Sequence, residues 1–250
     1  MTASRPQPLL PDEVRVFWTL TSVDLAPRML SELLEPVELE ASKRFRFAKD
    51  RLEYLVTRVL VRRVLARCSD RDPAGLRFTR NAYGRPSLVG GGALRFNLTN
   101  TPDLVACAVT LDREIGVDAE PYARHANVHG IASSVFVAAE REAMATLASS
   151  DAKNRRALQL WTLKEAYMKA RGKGMAIAPD SFAIRFEDAT PSLDLSTLTD
   201  DLAARWSMTT HELEGHCLSL CVERTPVEVS VAFEWFALAT AGLEPGAGNA

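Results

Sequence analysis

Cysteine and histidine are scarce: the 250-residue chain has four of each. Cys68, Cys107, Cys217 and Cys221 do not fall into the paired spacing of a zinc site. Residues 1–10 lack the charged-then-apolar pattern of a secretory signal. Reduced thiols in a cytoplasmic protein are the expectation. No run approaches the ~18 apolar residues of a membrane helix, so no membrane partner is expected. The formal charge is only −2, which excludes a globally basic nucleic-acid binder. Gly172 and Gly174 lack the spacing of a phosphate-cradling loop. They read instead as a helix end.

What is present is ordinary globular composition, 47% hydrophobic, with charge distributed unevenly. Nine Lys/Arg lie between Ser42 and Arg67 against Asp50 and Glu53, and seven between Lys153 and Lys173 against Glu165. From Glu187 to Glu234 there are ten acids against Arg205 and Arg224. Two basic helices before an acidic final third suggest a local anionic ligand, although two solvated helix faces would give the same pattern.

The periodicities predict a strand over Val14–Leu20 and helices over Leu39–Phe47 and Arg51–Ala66. Short strands at Leu76–Thr79 and Leu94–Leu98 and a buried strand at Leu104–Leu111 follow. The pattern then restarts, with a strand at Ile115–Ala119, helices at Val128–Phe136, Ala139–Leu147 and Lys153–Arg171, and strands at Phe182–Phe186, Arg205–Thr210 and Cys217–Glu223. This is an α+β chain read as a pseudo-duplication, residues 1–113 and 114–250. The tail from Ala239, rich in small residues, is expected to be poorly ordered.

The most informative segments are Gly116-Val117-Asp118-Ala119-Glu120 and Trp161-Thr162-Leu163-Lys164-Glu165-Ala166-Tyr167-Met168-Lys169. Asp118 and Glu120 are two apart on a strand and share a face. Glu165 and Lys169 share a helix face with Trp161. Three carboxylates from a strand and a helix can form an oxygen-rich divalent metal site, and the lysines suit an anionic substrate. A solvated strand end and an ordinary i,i+4 ion pair are the plainer readings of the same spacing. His125 and His129 are four apart with no evident third ligand and are not read as a metal pair.

Together these segments resemble the Sfp-type 4′-phosphopantetheinyl transferases, which carry a G-[VI]-D-x-E strand and a W-x-x-K-E-[AS]-[YF]-x-K helix. Tyr83-Gly84-Arg85-Pro86 resembles the family's Y-G-K-P loop. Phe96-Asn97-Leu98-Thr99-Asn100-Thr101 resembles its F-N-[IL]-S-H-S strand, and the basic segment Arg44 to Asp50 matches as well. The resemblance covers roughly Lys43 to Phe186. It implies two similar α+β halves with the active site in the cleft between them. It also implies Mg2+-dependent transfer of the 4′-phosphopantetheine group from coenzyme A to a serine of an apo carrier protein, releasing 3′,5′-ADP.

Carried over residue by residue, the resemblance makes Asp118, Glu120 and Glu165 the metal ligands. Glu165 and Lys169 are the catalytic groups. Arg44, Lys49, Arg85, Thr99, Asn100 and Lys164 are the coenzyme-binding set. Arg85 replaces the family's usual lysine and can grip a phosphate bidentately. Asn100 replaces a histidine associated with the 3′-phosphate of coenzyme A, and asparagine brings no charge. A duplicated chain needs no dimer to complete its cleft, so a monomer is expected. The alternatives are a non-catalytic module that binds coenzyme A or a carrier protein, and a magnesium-dependent diphosphate hydrolase.

Overall fold

The computed structural model describes residues 9–124, 134–196 and 200–238. Its first half opens with β1 (Glu13–Leu20), followed by α1 (Pro27–Leu33), α2 (Pro36–Ser42) and the long α3 (Ala48–Ser69). A small hairpin, β2 (Phe78–Arg80) and β3 (Pro86–Leu88), leads to β4 (Leu94–Thr101) and β5 (Leu104–Leu111). The second half repeats the plan. It runs β6 (Ile115–Pro121), α4 (Ala138–Ala145), the long α5 (Ser150–Ala170), a hairpin of β7 (Ala183–Glu187) and β8 (Thr190–Asp194), then β9 (Trp206–Leu213) and β10 (His216–Glu223). The expected helix over Val128–Phe136, both histidines of the 125/129 pair and the tail from 239 lie wholly or mainly outside the described residues.

The sheets share one topology. In the first, β1 pairs with β5 and β5 with β4; in the second, β6 pairs with β10 and β10 with β9, every pairing antiparallel. Both halves are therefore α+β units of the same strand order. The structure redraws the division at its far end. β11 (Ser230–Trp235) returns to pair in parallel with β1. Leu238 is buried in the first half's core, beside Phe17 and the apolar face of α3.

Three cores follow from alternation along the strands. One lies under α3 and another under α5. The third joins the halves: Val14, Val16, Leu104, Ala106 and Ala108 of the first sheet pack with Ile115, Val117, Ala119, Leu218 and Leu220 of the second. Odd-numbered residues of β6 thus enter the shared core. With a period of two, the even-numbered Gly116, Asp118 and Glu120 turn toward α5. A Cβ on Gly116 would sit 1.9 Å from the Ala166 carbonyl oxygen, so only glycine lets the helix lie this close.

The helix expected over Leu39–Phe47 is the shorter α2, set earlier. Pro36 occupies its first turn, and the Glu38 carboxylate accepts from the Glu35 amide. The Ser42 hydroxyl turns back onto the Leu39 carbonyl, and residues 43–47 form the exposed link to α3.

Candidate active site

From Leu160 to Ala170 the only residues of α5 not buried are Trp161, Glu165 and Lys169. They recur every four residues and form one stripe open to solvent on an otherwise buried helix. That stripe meets the even face of β6. Lys169 Nζ donates to Asp118 Oδ1 at 2.6 Å and to the Val117 carbonyl at 3.1 Å. Glu165 lies in the field of Asp118, Glu120 and Lys169. Burial, with Asp118 and Glu120 adding repulsion against the pull of Lys169, pushes its carboxyl up to about 7.

Asp118 is held from the other side by the first half. β4 and β6 are neighbouring sheet edges that run parallel without a hydrogen-bonded ladder. Side chains replace the ladder. Asn97 Oδ1 accepts from the Val117 amide at 3.0 Å, and Thr99 Oγ1 accepts from the Ala119 amide at 3.3 Å. The Thr99 hydroxyl also donates to Asp118 Oδ1 at 3.1 Å. The remaining oxygen, Asp118 Oδ2, is buried without a hydrogen-bond partner. A buried carboxylate oxygen left bare is costly unless a cation or donor completes it.

This donor set fits magnesium. All the candidate groups are carboxylates, the hard ligands Mg2+ prefers, and the lone pairs of Asp118 Oδ2 accept no hydrogen bond. Among the described residues, no three carboxylate, imidazole or thiol side chains are gathered closely enough to hold a metal ion by themselves. Mg2+ commonly keeps waters and takes substrate phosphates for its remaining positions. Asp118, Glu120 and Glu165 would hold it together with such a ligand.

Two of the expected coenzyme-binding residues are placed differently by the structure. Lys164 is fully buried in the second half's core, on the side of α5 away from the stripe. Its ammonium donates to the carbonyls of Pro179 and Phe182 at 2.8 and 2.6 Å and meets Glu140 at 3.0 Å. Burial pulls its pKa down, and Glu140 opposes that shift. Adjacency to Glu165 in sequence had suggested a phosphate ligand, but consecutive helix residues point about 100° apart. Lys164 is a structural cation. Arg85 is also occupied: it pairs with Glu114 and donates to the carbonyls of Ala170 at 2.8 Å and Ile115 at 3.2 Å.

Thr99 is buried against Asp118 rather than set at the surface. Asn100, Lys49 and Arg44 are exposed, the first two near the opposite end of β4 from Arg85. Asn100 donates to Glu53 at 2.6 Å, and Lys49 pairs with Asp103 at 3.2 Å. The structure thus gathers Asp118, Glu165, Lys169 and Thr99, leaves Asn100 and Lys49 on a rim, and withdraws Lys164. Sequence reasoning missed Asn97 and Asn81. The signal for Asn97 was an amide side chain inside a strand, where a buried polar group must find a partner.

The site joins an acidic strand of the second half, a Lys/Glu stripe on α5 and a threonine from the first half, and the comparisons say to which class of protein such a chain belongs. Residues 114–221 match the 4′-phosphopantetheinyl transferase superfamily, and residues 18–111 match its "4'-phosphopantetheinyl transferase, N-terminal" family. The two matches abut at the β5–β6 link. The chain is 31% identical over 174 residues to the 4′-phosphopantetheinyl transferase HetI of Nostoc sp., covering 67% of this chain and 72% of that protein. It is 27% identical over 190 residues to the 4′-phosphopantetheinyl transferase Sfp of Bacillus subtilis, covering 75% of this chain and 81% of the relative. Among solved structures, a holo-(acyl-carrier-protein) synthase from Bacillus anthracis in complex with CoA (3′,5′-ADP) matches with a TM-score of 0.38. That match has 20% identity over 44% of this chain and 94% of that one. The chain belongs to the 4′-phosphopantetheinyl transferase superfamily and is an enzyme of that class.

Proposed function

We propose that this enzyme transfers the 4′-phosphopantetheine group of coenzyme A to a serine hydroxyl of an apo acyl- or peptidyl-carrier protein. The serine oxygen forms a new bond to the phosphorus that bears the pantetheine arm. The bond from that phosphorus to the bridging pyrophosphate oxygen breaks, and 3′,5′-ADP leaves. The observation that carries the reading is the Asp118 carboxylate, held by Thr99 and Lys169 with one buried oxygen uncommitted, next to Glu165.

Magnesium, held by Asp118, Glu120 and Glu165, would supply charge neutralisation at the pyrophosphate. The chain's own groups do the rest. Glu165, beside Asp118 on the open face of α5, is placed to take the serine proton. Lys169 sits against the same carboxylate and supplies positive charge where the leaving phosphate gathers electrons. Lys49 and Asn100 on the rim, with the exposed Arg44, are the side chains assigned to the nucleotide phosphates. The enzyme acts as a monomer in the cytoplasm. Among the described residues no helix is long and apolar enough to cross a membrane.

The test is incubation with coenzyme A and Mg2+, with and without a panel of apo carrier proteins, read by mass spectrometry of the carrier and chromatography of nucleotides. A carrier gaining the phosphopantetheine mass, with 3′,5′-ADP appearing only when carrier is present, is the expected result. Nucleotide release without carrier would make the protein a hydrolase. No product with any carrier would leave a binding module.

A further inference from the structure

The loop between β2 and β3 belongs to the first half, yet its polar side chains are spent on the second. Asn81 Oδ1 accepts from the amides of Tyr83 and Arg85, both at 2.9 Å, which shapes the loop. Asn81 Nδ2 then donates to the Gly172 carbonyl at 2.7 Å. The Arg85 guanidinium donates to the Ala170 carbonyl and to Ile115 at the start of β6, and pairs with Glu114. The carbonyls of Ala170 and Gly172 lie at the C-terminal end of α5, where helical carbonyls have no partner of their own and the helix end is negative. A cation and an amide donor are the groups such an end takes best. Gly172 has φ +64°, and a Cβ there would meet Arg85 Cδ at 3.0 Å and Asn81 Nδ2 at 3.3 Å. The glycine thus admits both side chains.

We infer that Asn81 and Arg85 are positioning residues. They cap α5 from the other half and fix its register on β6, and through that register set Glu165 and Lys169 against Asp118. Arg85 spans the two elements whose alignment the chemistry requires. Ala170 adjoins Lys169, and Ile115 lies three residues before Asp118. Arginine suits the place because its planar fork serves a carboxylate and two carbonyls at once, which a lysine ammonium does with less definition. The inference rests on the transferase reading for its kinetic consequence, but not for its structural one.

The experiment uses the full chain and the variants Arg85→Ala, Arg85→Lys and Asn81→Asp. The last keeps the oxygen that accepts both loop bonds, removes the donor to Gly172 and sets a carboxylate oxygen against that carbonyl. Steady-state kinetics with coenzyme A and with dephospho-coenzyme A are paired with hydrogen exchange over residues 166–172. Misplacing catalytic groups by about an ångström costs up to about 100-fold. We expect Arg85→Ala and Asn81→Asp to lower kcat about 10- to 100-fold, equally for both substrates and with KM little changed. Arg85→Lys should fall between them and wild type, and amides 166–172 should lose protection in step. If Arg85→Ala raises KM for coenzyme A alone, with kcat intact, Arg85 reads the 3′-phosphate and the inference is wrong. A lower Tm with kcat unchanged would make the clamp merely structural and would also overturn it. Should the wild type transfer nothing, the functional reading fails, and hydrogen exchange still decides: unchanged protection in the variants removes the cap, and lost protection keeps it.

Discussion

The Thr99 hydroxyl stands 3.1 Å from Asp118 Oδ1, across a seam where two parallel sheet edges meet without a ladder. The same oxygen accepts the Ala119 amide, so one side chain of the first half fixes both the backbone and the carboxylate of the second. Partners that orient a metal ligand commonly matter 10- to 100-fold for metal affinity or activity. Thr99→Val, nearly the same shape without the hydroxyl, should therefore lower turnover by about that factor and raise the Mg2+ concentration for half-activity. Thr99→Ser should recover most of both. A magnesium titration of initial rates checks it, and a Thr99→Val variant with the wild-type curve would show that Asp118 needs no help from across the seam.

Asp118→Ala should reduce turnover to background at any Mg2+ concentration, because it removes a carboxylate held by both halves and strands the Lys169 ammonium. Glu165→Ala should do the same if it removes, as proposed, both a ligand and the proton acceptor. Circular dichroism should show both variants folded, since neither side chain belongs to one of the three apolar cores. Full activity of either in chelator-treated buffer would end the metal assignment.

Lys169→Ala should lower kcat more than it weakens coenzyme A binding. A group that meets charge developing on the leaving phosphate acts mainly in the transition state. The comparison is kcat against a Kd from titration calorimetry. A raised Kd with kcat preserved would make Lys169 a binding lysine only.

Lys164→Ala should do the opposite of what its place in the motif suggests. Removing one partner of a buried ion pair typically costs about 3–5 kcal/mol, because the other charge, here Glu140, is left uncompensated. Denaturant unfolding should show that loss, while coenzyme A affinity of the folded protein stays at the wild-type value. Weaker coenzyme A binding with stability intact would return Lys164 to the phosphate site.

Asp201 should give the fold an acid-sensitive component. Burial raises its pKa, but the indole N–H of Trp206 at 2.7 Å, the Tyr167 hydroxyl at 2.9 Å, the Leu202 amide and the Arg171 charge outweigh it, and the net shift is downward. A lowered folded-state pKa stabilises the protein above the unfolded value of about 3.9, and the contribution is lost as pH falls through the lower folded value. Asp201→Asn should thus melt below wild type at pH 7, and the gap in Tm should narrow as pH drops below about 4. A gap that widens on acidification would contradict the shift.

Much of the fold was legible because alternation and helical spacing are local. The strands at residues 14–20, 104–111 and 115–119 and the two long helices follow from where apolar residues recur. The restart of the pattern after Arg113 marked the second half. β8 and β11 were missed because Thr190–Asp194 and Ser230–Trp235 are mostly not buried, so burial imposed no strict alternation on them. That Asp118 and Glu120 share one face of β6, and Glu165 and Lys169 one face of α5, was legible too, since strand parity and i,i+4 spacing dictate it.

The sequence by itself determined two similar α+β halves, an acidic strand beside a basic helix, and the family to which these belong. It put Lys169 on the face of Glu165 but could not say whether Lys164 reaches the site as well. That depends on which face of α5 rests on β6, and Gly116 and the shared core decide it. Nor could it show that Arg85 and Asn81 reach across to the end of α5, or that Thr99 holds Asp118. Those contacts join residues 19 to 91 positions apart, and only the packing of one half against the other brings them within hydrogen-bond reach.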